Sequence, residues 1–231
     1  MKFYKYETHL HTIESSACGK ISGAEQARIY KNLGYSGIIV TDHFFGGNTT
    51  VNRKLPWRER VDMFAKGYEN AKKEGDRIGL SVFFGFEETF CGGTDFLVYG
   101  VNKDWLYENP DIIYWDVKEY YENVHKAGGL FVHAHPFREA PHIKEIRLYK
   151  ECEDAIEIVN RSHKNPLFNK KAREYAILHN KPMTEGSDSH KFEDIHGGML
   201  FDHKLVDIMD FIKCVKNKKG KLMSDEMEHN F

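Results

Sequence analysis

The sequence predicts an α/β barrel that gathers a metal site at the carboxyl ends of its strands. Three observations predict it. Short β-branched and aromatic runs alternate with longer amphipathic stretches along the 231 residues, the pattern of parallel strands joined by helices. Seven such runs occur, enough for a small (β/α) barrel in one domain spanning residues 1–231. Histidines and carboxylates fall where the runs end, the position at which barrel enzymes build their sites.

The elements follow in order. A first strand over Phe3–His9 delivers His9 and then His11 at i and i+2, a spacing that puts both on one side of an extended chain. Ser22 and Glu25 form a capping-box pattern that opens a helix running to Leu33 and stopping at Gly34. A second strand, Gly37–Thr41, ends on Asp42 and His43. Pro56 suits the first turn of a helix reaching Lys73 to Gly75. A third strand, Ser81–Phe86, ends on Glu87 and Glu88. These two are adjacent, so one side chain faces the interior. The fourth strand is Phe96–Val101, followed by a helix over Trp115–Lys126 that Gly128 and Gly129 end. The fifth, Leu130–Ala134, brings His133 and His135, and a helix is expected over His142–Cys152. The sixth is Ala155–Val159, with a helix over Pro166–His179. The seventh, Pro182–Thr184, precedes Asp188 and His190, and a last helix spans Val206–Lys216. Most of these strands are nearly continuous in apolar residues, as expected of parallel strands covered on both faces. The polar tail from Lys221 to Phe231 is expected to fray.

Composition narrows the function. Hydrophobic residues make up 41% and the formal net charge is -2, so no overall basic bias points to nucleic acid. No apolar run approaches the roughly 18 residues that span a bilayer. Lys2 and Lys5 lead directly into a strand, unlike a signal peptide. The four cysteines form no CxxC pair, which fits reduced thiols in a cytoplasmic protein. Neutral imidazoles with carboxylates suit Zn, Mn or Fe(II), and a carboxylate such as Glu87 or Asp188 can bridge two ions. Such a centre activates water and neutralises charge on a phosphate without a serine or cysteine nucleophile.

At His9-Leu10-His11-Thr12, Thr41-Asp42-His43, Gly85-Phe86-Glu87, His135-Pro136 and Gly186-Ser187-Asp188-Ser189-His190 the sequence resembles the PHP (polymerase and histidinol phosphatase) family. The landmarks run in this order from His9 to His190. The resemblance implies a distorted, TIM-like (β/α)7 barrel holding two or three divalent ions and hydrolysing phosphoesters. It implies that His9, His11, Glu87 and Asp188 hold one ion, that Glu87 bridges to a second shared with His135, and that His43 and His190 belong to a third. Asp95 stands near the position where many members supply a further histidine. In the loop after the first motif, where many members carry another histidine or aspartate, this chain reads Ile13-Glu14-Ser15-Ser16-Ala17-Cys18-Gly19. Glu14 and Cys18 are the residues there able to substitute.

Single residues carry further expectations. Asp188 and His190 are expected in catalysis, with Arg138 gripping a phosphate bidentately or lying solvated in its loop. Arg161, His163 and Lys20 are further candidates for that grip. Asp42 is expected to orient a neighbour, and Glu88 to be structural. His133 is expected on the side of His135, as a buried hydrogen-bonded group or a ligand. Asn160 lands near the mouth, and His196 lies on a glycine-rich loop that approaches it. The segment Phe44–Arg60 is a lid, a substrate wall or a long connection. His125, His142, His179, His203 and His229 read as surface residues.

The expected function is hydrolysis of a small phosphorylated substrate, a phosphomonoester such as histidinol phosphate or a nucleotide phosphate, by a metal-activated water. Nucleic acid enters only as a substrate, and no membrane partner is expected. An amidohydrolase and a non-catalytic metal-binding domain are the alternatives. The first often uses a strand-end lysine to bridge its metals, and no such lysine stands here.

Overall fold

A computed structural model of the chain describes residues 2–194 and 196–228. Its strands are β1 (Tyr4–Leu10), β2 (Gly37–Val40), β3 (Ser81–Phe90), β4 (Thr94–Tyr99), β5 (Leu130–Ala134), β6 (Ala155–Asn160), β7 (Met183–Gly186), β8 (Met199–Phe201) and β9 (Lys221–Leu222). They form one sheet in the order β7-β6-β5-β4-β3-β2-β1-β8-β9. The segment after β7 returns to β1, where His11 N–H donates to Ser189 O at 2.9 Å and Ser189 N–H to His9 O at 3.3 Å. The first seven strands thus curl into a nearly closed barrel, and β8 and β9 extend it from the start of β1.

The helices are α1 (Gly23–Asn32), α2 (Trp57–Phe64), α3 (Lys66–Ile78), α4 (Lys103–Glu108), α5 (Val117–Lys126), α6 (Pro166–Leu178), α7 (Ile208–Lys216) and α8 (Met223–Glu228). Ser22 caps α1 by accepting from Glu25 N–H. Asp116 and Glu119 make a reciprocal capping box at α5. These polar caps satisfy amide groups that a helix start leaves unpaired.

Four expectations change. The sheet is not wholly parallel: β4 runs antiparallel to both β3 and β5. Only the turn Cys91–Gly93 separates β3 from β4, too short for a crossover, and Gly92 and Gly93 take φ of 95° and 87° to make it. The helix expected over His142–Cys152 is absent. There Lys144 N–H donates to Gly92 O of that turn, and Ile146 and Leu148 are 38% and 42% exposed, with no core to face. The helix expected from Pro56 is two, α2 and α3, meeting at Ala65. Gly67, in the first turn of α3, sits where a Cβ would meet Thr12 Oγ1 at 2.0 Å and Asp42 Oδ2 at 2.6 Å, so the break seats this helix tightly behind the ligand-bearing loop. The tail is ordered into β9 and α8 through Glu228; His229 lies outside the described residues.

The barrel interior is apolar at its base. Tyr6, Ile39, Leu97, Tyr99, Val132 and Ala155 pack there, all under 2% exposed. A second cluster, with Phe86, Phe96, Phe131 and Tyr120, lies between the sheet and α5. Burying aromatic side chains contributes much of the stability of such layers, and they fix the strand ends that carry the polar groups.

Candidate metal centre

The first strand carries a shift of register between Glu7 and Leu10. Tyr6 packs in the barrel interior while Leu10 packs outside with Ile38, Val40 and Ala27. Both would share a face in a regular strand. The bulge turns His9 and His11 inward, a common use of such irregularities beside functional sites. Glu7 holds it: its buried carboxylate accepts from the N–H groups of Thr8, His9 and Ser187, each at 2.9 Å, and from the hydroxyls of Tyr30 and Ser187. One acid therefore ties the first ligand-bearing strand to the loop carrying Asp188.

Around this seam the side chains gather. His11 Nε2 lies 3.2 Å from both Asp188 Oδ1 and His9 Nε2. His9 Nε2 lies 3.4 Å from Glu87 Oε1. On the other side of Glu87, His135 Nε2 lies 3.0 Å from Oε1, and Asp95 Oδ2 is 3.9 Å from the same nitrogen. His43 Nδ1 is 2.8 Å from Glu87 Oε2. The rings of His43 and His190 stack on that of His11 at 4.3 and 4.4 Å. Three triads have all their ligand atoms within 4.8 Å of one another: His9, His11 and Asp188; His9, Glu87 and His135; and His11, His43 and His190. A fourth, His203, Asp210 and Cys214, lies on the outside of the barrel. There both ring nitrogens of His203 are already bonded, to Asp202 and Asp210.

Several groups at the mouth are left without a partner. His43 Nδ1, Glu87 Oε2 and Asp95 Oδ1 are buried and make no hydrogen bond. His43 and Glu87 approach closely in an orientation that forms none. Buried polar atoms are normally paired, so three orphans converging on one space fit a site shaped for a cation. Nitrogen and carboxylate donors fit a divalent transition metal. Asp95 stands on β4 opposite Ala134, with Oδ2 3.9 Å from His135 Nε2. Burial, reinforced by the charge of Glu87, pushes its carboxyl up to about 6. Burial and the neighbouring rings of His43 and His190 hold His11 well below the usual histidine range. Burial opposes charge on His9, but Glu157, Asp188 and Glu87 outweigh it and hold its pKa well above the ordinary value.

Supporting residues set the ligand geometry. Glu157 Oε1 accepts from His9 Nδ1 at 2.8 Å, which leaves Nε2 facing the centre, and Oε2 accepts from His135 N–H at 3.1 Å. Asp188 Oδ2 accepts from Ser162 Oγ at 3.1 Å and Asn160 Nδ2 at 3.3 Å. Asp42 accepts from Thr12 N–H, Thr12 Oγ1 and Ser16 Oγ at 2.6 to 2.7 Å, the orienting role expected of it. Ser16 Oγ in turn meets His11 Nδ1 at 3.2 Å. Glu157, Glu7, Ser16 and Ser162 were not singled out from sequence. The signal for Glu157 was available: a lone acid inside the apolar run Ala155-Ile156-Glu157-Ile158-Val159.

Other candidates fall differently. His133 does not share the side of His135. It stacks on Phe96 at 4.5 Å in the outer aromatic layer and bonds Glu153 at 2.8 Å. The chain leaves β5 after Ala134, and His135 takes φ 31°, so the i, i+2 rule stops applying. Asp188 likewise takes φ 53°. Glu88 points outward to Tyr120. Arg138 Nη1 lies 3.4 Å from Asp188 Oδ2 and lines the mouth. Arg161 is paired with Glu185, and His163 with Asn169. Lys20 meets His190 through its backbone N–H, and His196 is exposed. Phe44 and Phe45 are buried core residues, whereas Gly46, Gly47 and Asn48 wall a mouth cavity of about 600 Å³ beside His43 and His190. His142, expected on the plain surface, lines the same cavity.

Comparisons with known proteins bear on this arrangement. Residues 166–218 match a family model described as PHP-associated. That stretch runs from α6 through β7, Asp188 and His190 into α7. No curated protein matches the chain. A two-domain protein from Bacteroides vulgatus, containing a predicted PHP-like metal-dependent phosphoesterase, superposes with a TM-score of 0.73 at 15% identity over 96% of this chain and 64% of its own. The lesion-specific endonuclease Q of Pyrococcus furiosus gives 0.62 at 15% identity over 96% and 58%. An amidohydrolase from Chromobacterium violaceum, solved with sulfate and no metal, gives 0.57 at 13% identity over 96% and 99%. This chain thus spans under two thirds of the first two proteins' length. At these identities the likeness establishes the fold, and the family-model match covers the stretch that carries Asp188 and His190.

Proposed function

We propose that this chain is a metal-dependent phosphoesterase, a single PHP-type barrel whose mouth holds two or three divalent ions, Zn, Mn or Fe. One observation carries the reading. The three overlapping triads at the strand ends share His9 and His11 and surround Glu87, whose buried Oε2 has no hydrogen-bond partner. A structural cluster has no need of such an orphan.

In this reading His9, His11, Glu87 and Asp188 would hold one ion, Glu87, Asp95 and His135 a second, and His43 and His190 would belong to a third. Bound ions supply Lewis-acid stabilisation of phosphate charge and lower the pKa of water. The chain's own residues do the rest. Glu157 fixes the His9 tautomer, and Ser162 and Asn160 hold Asp188. Arg138, whose guanidinium already reaches Asp188 across the mouth, is placed to donate its fork of N–H groups to a phosphate. His190, part-exposed at the rim, faces Asp188 O through Nδ1 at 2.7 Å, which leaves Nε2 to serve the third ion. The cavity volume suits a small molecule, so a phosphomonoester of the histidinol phosphate or nucleotide class is the favoured substrate. The free thiols fit a cytoplasmic setting.

The likeness to endonuclease Q favours a second reading, cleavage of a phosphodiester in nucleic acid. The likeness to an amidohydrolase keeps amide hydrolysis as a third. The test is metal content per chain of protein purified without chelator, with hydrolysis of an aryl phosphate, an aryl phosphodiester, a lesion-containing duplex and an amide panel under added Mn and Zn. Two or three ions with metal-dependent monoester turnover is the expected result. Diester or amide turnover moves the reading to its rivals, and no metal after reconstitution overturns it.

A further inference from the structure

The third group of side chains is the one for which the sequence left a ligand undecided. The structure separates the two candidates. Glu14 turns away: its carboxylate accepts from Gly23 N–H at 3.0 Å and Asn70 Nδ2 at 2.9 Å. Cys18 turns in. It lines the mouth cavity together with His43 and His190.

The loop is built to hold it there. Ala17 N–H donates to Asn48 O at 2.9 Å and Lys20 N–H to His190 O at 2.8 Å, which brackets Cys18 between two anchored neighbours. Gly19 packs so closely on the preceding motif that a Cβ would meet Thr12 O at 2.4 Å, so the chain doubles back here only with glycine. A second feature points to a guest beside His43. Glu87 is 1% exposed, and its Oε2, 2.8 Å from His43 Nδ1 and 3.5 Å from His11 Nε2, makes no hydrogen bond.

We propose that Cys18, His43 and His190 form a histidine–thiolate metal position at the rim of the centre, selective for a thiophilic divalent ion of the zinc class. The inference rests on the metal-dependent reading above and deepens it. The two inner positions offer imidazole and carboxylate, donors that also accept Mn or Fe, while a thiolate selects softer ions. The site is therefore a mixed one, with its third position distinguished by chemistry and not only by location.

The test uses the full chain, stripped with chelator and reconstituted with Co(II). A near-ultraviolet thiolate-to-cobalt charge-transfer band is expected, lost in Cys18→Ser and kept in Cys91→Ser. In the unsubstituted protein, bound zinc is expected to slow alkylation of Cys18, followed by peptide mass spectrometry; this readout needs no variant to fold. An undiminished band in Cys18→Ser, or equal Cys18 alkylation with and without zinc, overturns the inference. Cobalt bound with ligand-field bands but no thiolate band removes the inference and leaves the phosphoesterase reading standing. No metal uptake at all removes both.

Discussion

Glu87 and Glu88 are neighbours on β3 that enter two different regions of the molecule. Glu88 goes outward, into the aromatic layer under α5, where every carboxylate contact is filled: Gly46 N–H at 2.6 Å, Thr89 N–H at 2.9 Å and Tyr120 hydroxyl at 3.0 Å. His133 in the same layer is likewise complete, bonded to Glu153, which also accepts from Tyr175. Glu87 goes inward, to a mouth where Glu87, Asp95 and His43 each keep a buried atom with no partner. Both regions bury ionisable groups. Leaving a buried polar atom without a hydrogen bond costs about 1–3 kcal/mol, so the difference is that the carboxylate of one region is satisfied by the protein and that of the other is not. Burial of charge alone therefore does not mark a site here; the gathering of several unpartnered atoms around one carboxylate does.

The sharpest way to break the contrast is to remove a carboxylate from the unfinished side. Asp188→Ala is expected to drop phosphoester turnover to background with the fold retained, checked by steady-state kinetics beside circular dichroism. Full activity in that variant would remove the mouth as the reacting site. A smaller effect is expected one layer out. Glu157→Gln keeps the volume but loses the charge that fixes His9, and such partners typically change metal affinity by about 10–100-fold. Competition with a chromophoric chelator measures it, and unchanged affinity would show that β1 alone orients His9.

How much of this was legible follows from the same contrast. The ligands at strand ends could be read because His9, Asp42-His43, Glu87 and His135 each interrupt or end an apolar run, and the inward choice of Glu87 over Glu88 rested on landmark spacing. What could not be read depends on local backbone departures. The bulge between Glu7 and Leu10 decides which way His9 and His11 face, and no periodicity shows a one-residue slip. His135 and Asp188 take positive φ without being glycine, so counting i and i+2 put His133 on the wrong face. The β3–β4 hairpin did have a signal, Gly92-Gly93 between two apolar runs, but the prevailing strand–helix alternation overrode it. Glu157 and Ser162 act across the barrel, through closure that brings β6 and β7 beside β1, and a linear reading does not contain that proximity.

Arg138→Ala sharpens the comparison at the cavity side. A hydrogen bond to a charged group contributes about 1.5–3 kcal/mol, so kcat/KM for a phosphomonoester is expected to fall about 10–100-fold with metal stoichiometry intact. An unchanged kcat/KM would return Arg138 to the solvent-facing loop.

The smallest effect is expected from Glu88→Gln, and it tests the comparison most directly. The amide keeps an oxygen for the N–H groups of Gly46 and Thr89 and presents its nitrogen to the oxygen of Tyr120. The neighbouring residue, Glu87, stays in place. If the outer layer is complete by itself, metal content and kcat/KM should stay within about twofold, the scale of a change near 0.5 kcal/mol, while the thermal midpoint moves by a few degrees. Loss of metal in this variant would mean that the turn Gly46–Asn48, which Glu88 holds and which walls the cavity, carries the finished layer's order into the mouth. The two regions would then act as one unit, with the outer layer setting the geometry of the inner.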